Sequence, residues 1–288
     1  MDKLLNNKYR LERKLAEGGM STVFLCRNIE LGNRWVAKFI DDKYIGLVYE
    51  EEILKKLNHT NLPRIVDVCK ADGGTYIIES FIEGLSLKEK LELLGRFTEE
   101  QVIHYGLQLC EVLNYLHEMK PCAIIHKDLK PSNIIVTDYD NLLLIDFGIS
   151  VQQDFLLGFP GGTMAYCAPE QLSSNVACDS RTDIYSLGIL LYEMLTGERP
   201  GNCSIELGKN KDTVFNRLIC ICTGCTRFKP EDRYQTVQEV KAELMNCRNK
   251  YISRKENGKE KRKKVLLTIG LLSLINYICL MLGLLYNR

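Results

Sequence analysis

Three short runs near the start of the chain, at residues 9–16, 22–28 and 34–40, are rich in apolar residues and short enough to predict strands. The pattern then changes. Glu50, Ile53, Leu54 and Leu57 stand at i, i+3, i+4 and i+7, which predicts a helix over 46–58 with Glu50 on its inner face and Glu51 and Glu52 turned to solvent. Strands are predicted again at 65–70 and 75–79, and helical spacing dominates beyond position 85. A small β-rich part followed by a larger helical part predicts an α+β chain of two lobes, with a cleft of the kind that binds ligands. No internal repeat or low-complexity segment interrupts it before position 248.

Near position 250 the pattern breaks. Nine Lys or Arg residues lie between Arg248 and Lys264, against Glu256 and Glu260, and no charged residue occurs from Val265 to Tyr286. As a helix rising about 1.5 Å per residue, the uncharged stretch reaches about 33 Å, enough for a hydrocarbon core about 30 Å thick. Apolar residues fall on every face of it, with Asn276 the least comfortable member, so a membrane span is expected rather than a buried amphipathic helix. The positive-inside rule places residues 1–264 in the cytoplasm, and the basic run 248–264 is expected to attract anionic lipid. Only residues 287–288 follow, so outer sensor repeats are not expected. The span also offers a surface through which two copies can pair.

The 288 residues are 45% hydrophobic and 26% charged, a globular composition. A formal net charge of +1 provides no whole-chain field for nucleic acid. Twelve cysteines would fit a disulfide framework in a small secreted chain, but Met1 to Arg10 holds no apolar signal segment, so reduced thiols in the cytosol are expected. Cys220, Cys222 and Cys225 lack an evident fourth ligand for zinc and read as core thiols. His59, His104 and His117 read as structural or exposed.

The candidate chemistry begins at HKDLKPSN, residues 126–133, followed by DFG at 146–148 and APE at 168–170, with VAK at 36–38 upstream. In this order and spacing the segments resemble the protein kinase family, and across about residues 9–247 its bacterial eukaryotic-like serine/threonine members. The resemblance implies a catalytic domain over 9–247 with an N-lobe at about 9–79, a hinge at 80–82 and a C-lobe at 83–247. An N-terminal segment 1–8 precedes it, and a linker 248–264, the span 265–286 and a tail 287–288 follow.

Phosphoryl transfer requires a highly charged triphosphate and its metal ions to be held while a hydroxyl is aligned. LAEGGMSTV, 15–23, is similar to the family's glycine-rich loop, with Gly18 and Gly19 in its centre and Ala16 and Ser21 where glycines are usual. By the same resemblance, Lys38 binds phosphates and pairs with Glu50, although only twelve positions separate the two. Asp128 orients the substrate hydroxyl and accepts its proton, with Lys130 close to the transferred phosphate. Asn133 and Asp146 hold Mg²⁺, or Mn²⁺ in its place. His126 and Phe147 pack. Glu170 and Arg233 pair, Asp183 supports the catalytic loop, and Thr163, after Gly162, faces the protein substrate. Leu15, Val23 and Ala37 would cover the adenine of ATP, Ile135 would lie below it, and Ser80 to Ile82 would form the hinge. Glu79 falls either at the entrance to the back of this pocket or in the hinge.

Lysine two positions after Asp128 and the Gly162–Thr163 pair resemble the serine/threonine branch. Lys127 stands where arginine is usual and cannot offer a bidentate fork to phosphate, while residues 149–162 contain Ser150 but neither threonine nor tyrosine. Activity independent of phosphorylation at the usual site is therefore expected. The rival readings are a nucleotide-binding scaffold without transfer, opposed by the presence of Lys38, Glu50, Asp128, Asn133 and Asp146 together, and a small-molecule kinase, opposed by the APE segment.

Overall fold

The structure, a computed structural model, describes residues 3–18, 21–43, 56–121, 123–146, 164–172, 177–199 and 213–286. The chain divides into two compact units, residues 1–245 and 246–288.

The first unit begins with an antiparallel sheet of six strands: β1 (Leu4–Leu5), β2 (Tyr9–Glu17), β3 (Ser21–Asn28), β4 (Arg34–Asp41), β5 (Ile65–Ala71) and β6 (Gly74–Ser80), in the order β1-β2-β3-β4-β6-β5. Five of these lie where the sequence predicts strands. The predicted helix at 46–58 falls almost wholly outside the described residues.

Within the leading segment 1–8, Leu4–Leu5 form the edge strand β1. Asn6 and Asn7 take φ of 47° and 52°, the left-handed values of a tight hairpin turn that asparagine tolerates, and Lys8 N–H donates to the Leu5 carbonyl at 2.9 Å. Leu5 and Tyr9 thereby enter the core on one face of the sheet, beside Phe24, Ala37, Tyr76 and Ile78.

Beyond Ser80 the fold turns helical. A small sheet of β7 (Leu85–Ser86), β8 (Ile134–Val136) and β9 (Leu142–Leu144) brackets the catalytic-loop sequence. Helix α1 (Leu87–Leu94) starts at a capping box between Ser86 and Glu89, and α2 (Glu99–His117) at one between Thr98 and Gln101, so the first free N–H groups of each helix are satisfied. Asp179 caps α3 (Ser180–Thr196), and Thr213 caps α4 (Val214–Cys225). The apolar positions of α2 and α3 are buried almost without exception, which makes this pair the centre of the helical part. Gly188 lets α3 approach α4: a Cβ there would lie 2.4 Å from that of Cys225.

Helix α5 (Val237–Tyr286) buries Val237, Val240 and Leu244 in the first unit and continues through the second. Among the described residues no helix is long and apolar enough to cross a membrane. Most side chains of 265–286 lie outside that description, and what the structure gives there is a helical backbone.

Candidate active site

The segment after α2 runs through residues 123–130 without regular structure and ends in a single 3-10 turn, Pro131–Asn133, before β8. Its backbone is held from outside. Asp183, fully buried near the start of α3, accepts the N–H groups of His126 and Lys127 at 2.8 Å each, and His117 Nε2 lies 2.8 Å from the same carboxylate. Gln171 donates to the Lys127 carbonyl at 2.8 Å. Lys127 has φ of 62°, a conformation that bulky residues avoid, and these contacts keep it there.

The result is a presented carboxylate. Asp128 Oδ2 receives Lys130 Nζ at 2.7 Å and Asn133 Nδ2 at 2.9 Å, while its side chain remains 39% exposed. Asn133 Nδ2 also donates to the Asp128 carbonyl at 2.9 Å, which directs the amide oxygen of Asn133 away from Asp128. Its usable donor is therefore a hard oxygen, as is that of Asp146, and such a pair suits Mg²⁺.

Across the cleft, strand register decides which side chains face this group. Lys38 on β4 is opposite Val23 of β3 and Ile77 of β6, and Val36 is opposite Glu79. Val23, Val36, Lys38, Ile77 and Glu79 therefore share one face. Ala37 belongs to the other face, opposite Ile78 and fully buried. Ala37 thus does not lie on the face of Lys38, as its reading as a wall of the adenine pocket requires, whereas Val36 does.

Lys38, buried to 4% exposure, meets Asp146 Oδ1 at 2.5 Å. Burial opposes the charge of Asp146, but Lys38, backed by His126 and Lys130, holds its carboxyl below the usual carboxylate range. Asp146 also has a left-handed φ of 62°. The structure thus brings Lys38, Asp146, Asp128, Lys130 and Asn133 to one cleft. Gly18 donates to the Ser21 carbonyl at 2.8 Å and closes the β2–β3 turn above it, with Leu15 at its exposed edge. Ile135 and Ile82 are half-buried, and Ser80 N–H is taken by the Arg64 carbonyl at 3.0 Å. Gly19, Glu50, Phe147 and Thr163 lie outside the described residues.

The protein kinase domain pattern matches residues 9–263. The chain belongs to the protein kinase family. Relatives include a probable serine/threonine-protein kinase of Clostridium acetobutylicum, 31% identical over 87% of this chain and 41% of its own length. Another from Clostridium perfringens is 32% identical over 84% and 38%, and the serine/threonine-protein kinase PknB of Mycobacterium leprae is 29% identical over 84% and 43%. The chain spans about two fifths of the length of these relatives.

The sequence leaves Glu79 open to two readings, the back of the nucleotide pocket or the hinge, and strand register places it. It lies inside β6, one position before the strand ends, on the face of Lys38 rather than in a free hinge. Burial pushes its carboxyl up to about 7, with Lys38 pulling down and Asp146 pushing up. A carboxyl whose folded value exceeds its unfolded one favours the fold when protonated, and that contribution is lost as pH rises through about 7. Glu79→Gln is therefore expected to gain about 3 kcal/mol over the native chain at pH 8 and next to nothing below about pH 4. Urea unfolding of both proteins without nucleotide at the two pH values checks this, and an equal difference at both would refute it.

His117 and Gln171 were not identified from sequence as supports of the catalytic loop. They act through spatial contact alone, and no local pattern marks them. Among the described residues no group of His, Cys, Asp or Glu is placed to hold a metal on its own. Cys222 and Cys225 are buried in α4, and burial raises the Cys225 thiol well above its ordinary value.

Proposed function

We propose that this chain is an ATP-dependent serine/threonine protein kinase held at the cytoplasmic face of a membrane by the helix at its C-terminal end. The observation that carries the catalytic part is the convergence of the Lys38–Asp146 pair with the Asp128–Lys130–Asn133 network. Lys38 holds the phosphates of ATP. Asp128 faces the substrate hydroxyl and accepts its proton as the γ-phosphoryl group leaves ADP for that oxygen. Lys130, bonded to Asp128, offsets negative charge on the group in transit. Asn133 and Asp146 would hold Mg²⁺, which neutralises phosphate charge when bound. Val23, Val36 and Ile135 supply apolar walls for the base.

The anchor rests on the uncharged stretch 265–286, the helical backbone there, and the exposed apolar side chains of Val265, Leu266, Leu267 and Ile269. The basic run before it would rest on anionic headgroups.

One preparation tests both parts. Membranes from cells expressing the full chain are washed at high salt and alkaline pH, then given Mg²⁺, labelled ATP and a general protein substrate. Label on serine or threonine from the washed membranes is expected. Label found only in the wash would remove the anchor, and nucleotide binding without label would favour the scaffold reading.

A further inference from the structure

We propose that the cleft between α1 and the catalytic loop receives a side chain of the protein substrate, and that Arg199 and Lys88 make it select an acidic residue and reject a basic one. This rests on the kinase reading above. The cleft has a volume of about 270 Å³, and Lys130, Pro131 and Ser132 line it, so its occupant lies within a few residues of the hydroxyl at Asp128. Its most buried charge is Glu193 on α3, whose side chain is 10% exposed. Alone, that carboxylate would make the cleft a seat for a cation.

It is not alone. One Glu193 oxygen takes the Tyr166 hydroxyl and the other takes Arg199 Nε at 2.9 Å. The acidic charge is thus met within the chain. The Arg199 guanidinium lies over the Tyr166 ring, 5.6 Å from its centre, and its side chain stays 49% exposed. A guanidinium bonded through Nε still has its terminal N–H groups to offer, and these suit a carboxylate.

The other lining charges are Lys88, Glu92 and Lys130. Lys88 on α1 is 58% exposed and only 3.8 Å from Glu92, a surface pair one helical turn apart that holds it weakly. Lys130 is tied to Asp128. An entering carboxylate therefore meets Arg199 and Lys88 directly. An entering cation reaches Glu193 only by displacing Arg199, and is left with Glu92, an exposed carboxylate that Lys88 already approaches.

The test uses the full chain and two sets of serine peptides, identical except for Asp and Glu, or Lys and Arg, within three residues of the serine. The acidic set is expected to have the higher kcat/KM. Arg199→Met, which keeps the stem packed on Tyr166, is expected to lower the acidic-to-basic ratio about tenfold. Lys88→Ala, on the exposed face of α1, is expected to lower it by a smaller factor and needs no buried partner to be replaced. Thermal melting checks both variants for folding. A wild-type preference for the basic set, or a ratio unmoved in whichever variants fold, would overturn the proposal. A wild type that labels neither set nor a general protein mixture would instead remove the kinase reading beneath it.

Discussion

Replacing Asp128 by asparagine is expected to lower the rate of phosphoryl transfer by about 10³-fold while ATP still binds. Asparagine has the shape of aspartate but cannot accept the hydroxyl proton. It also places an uncharged amide beside Lys130 Nζ and Asn133 Nδ2, which now approach the carboxylate at 2.7 and 2.9 Å. The loop itself should hold, because its backbone hangs on Asp183 and Gln171 and not on the Asp128 side chain. Nucleotide affinity should change little, since Lys38 and Asp146 stay paired across the cleft. Single-turnover transfer from labelled ATP gives the rate, and displacement of a fluorescent nucleotide gives the affinity. A variant that kept a tenth of wild-type transfer would exclude Asp128 as the base. Loss of nucleotide binding together with rate would mean that the loop had collapsed.

Local signals in the sequence reach a definite distance into this fold and then stop. Short apolar-rich runs locate β2 to β6 to within a residue or two at each end. HKDLKPSN and DFG mark the reacting groups, because phosphoryl transfer requires those side chains in that order. What was missed depends on register or on distant contact. Ala37 and Val36 are neighbours, yet one residue of offset moves a side chain to the other face of the sheet. Two positions apart on one strand, Val36 and Lys38 share a face, and the pairing of β4 with β3 and β6 agrees. The hairpin at Asn6–Asn7 did have a local sign, two residues that tolerate left-handed φ between Leu5 and Tyr9. His117, Gln171 and Arg199 had none. Each acts on a residue brought near only by the packing of the helical part.

Arg233→Met is expected to cost the fold about 3 to 5 kcal/mol, among the largest effects of any single side chain in the first unit. Both members of its pair with Glu170 are buried, at 4% and 5% exposure. Arg233 meets both carboxylate oxygens at 2.7 Å, one from each Nη. Its remaining donors go to the carbonyls of Arg227, Arg181 and Phe228 at 2.7, 2.9 and 3.0 Å, so all five N–H groups are used. Tyr185 lies under the guanidinium at 4.9 Å. Methionine fills much of the volume but leaves a buried carboxylate with no cation and only the Thr182 hydroxyl as a donor, and takes a donor from each of three carbonyls. The pH dependence carries the sign. Burial opposes ionisation of Glu170, yet Arg233 and Thr182 hold its carboxyl below the usual range, so the pair's contribution is present at neutral pH and lost as pH falls through that lowered value. Without Arg233 the carboxyl rises instead, so the deficit should be largest near pH 7 and shrink in acid. Adding Glu170→Gln to the variant should recover part of the loss, because a neutral amide no longer needs a cation. Denaturant unfolding of wild type, single and double variants at pH 7 and pH 5 measures these terms, and a deficit under about 1 kcal/mol at pH 7 would contradict the assignment. Activity should suffer with stability. Glu170 lies in the turn, Pro169–Leu172, that also carries Gln171, and Gln171 holds the Lys127 carbonyl, so the pair anchors the platform on which Asp128 is presented.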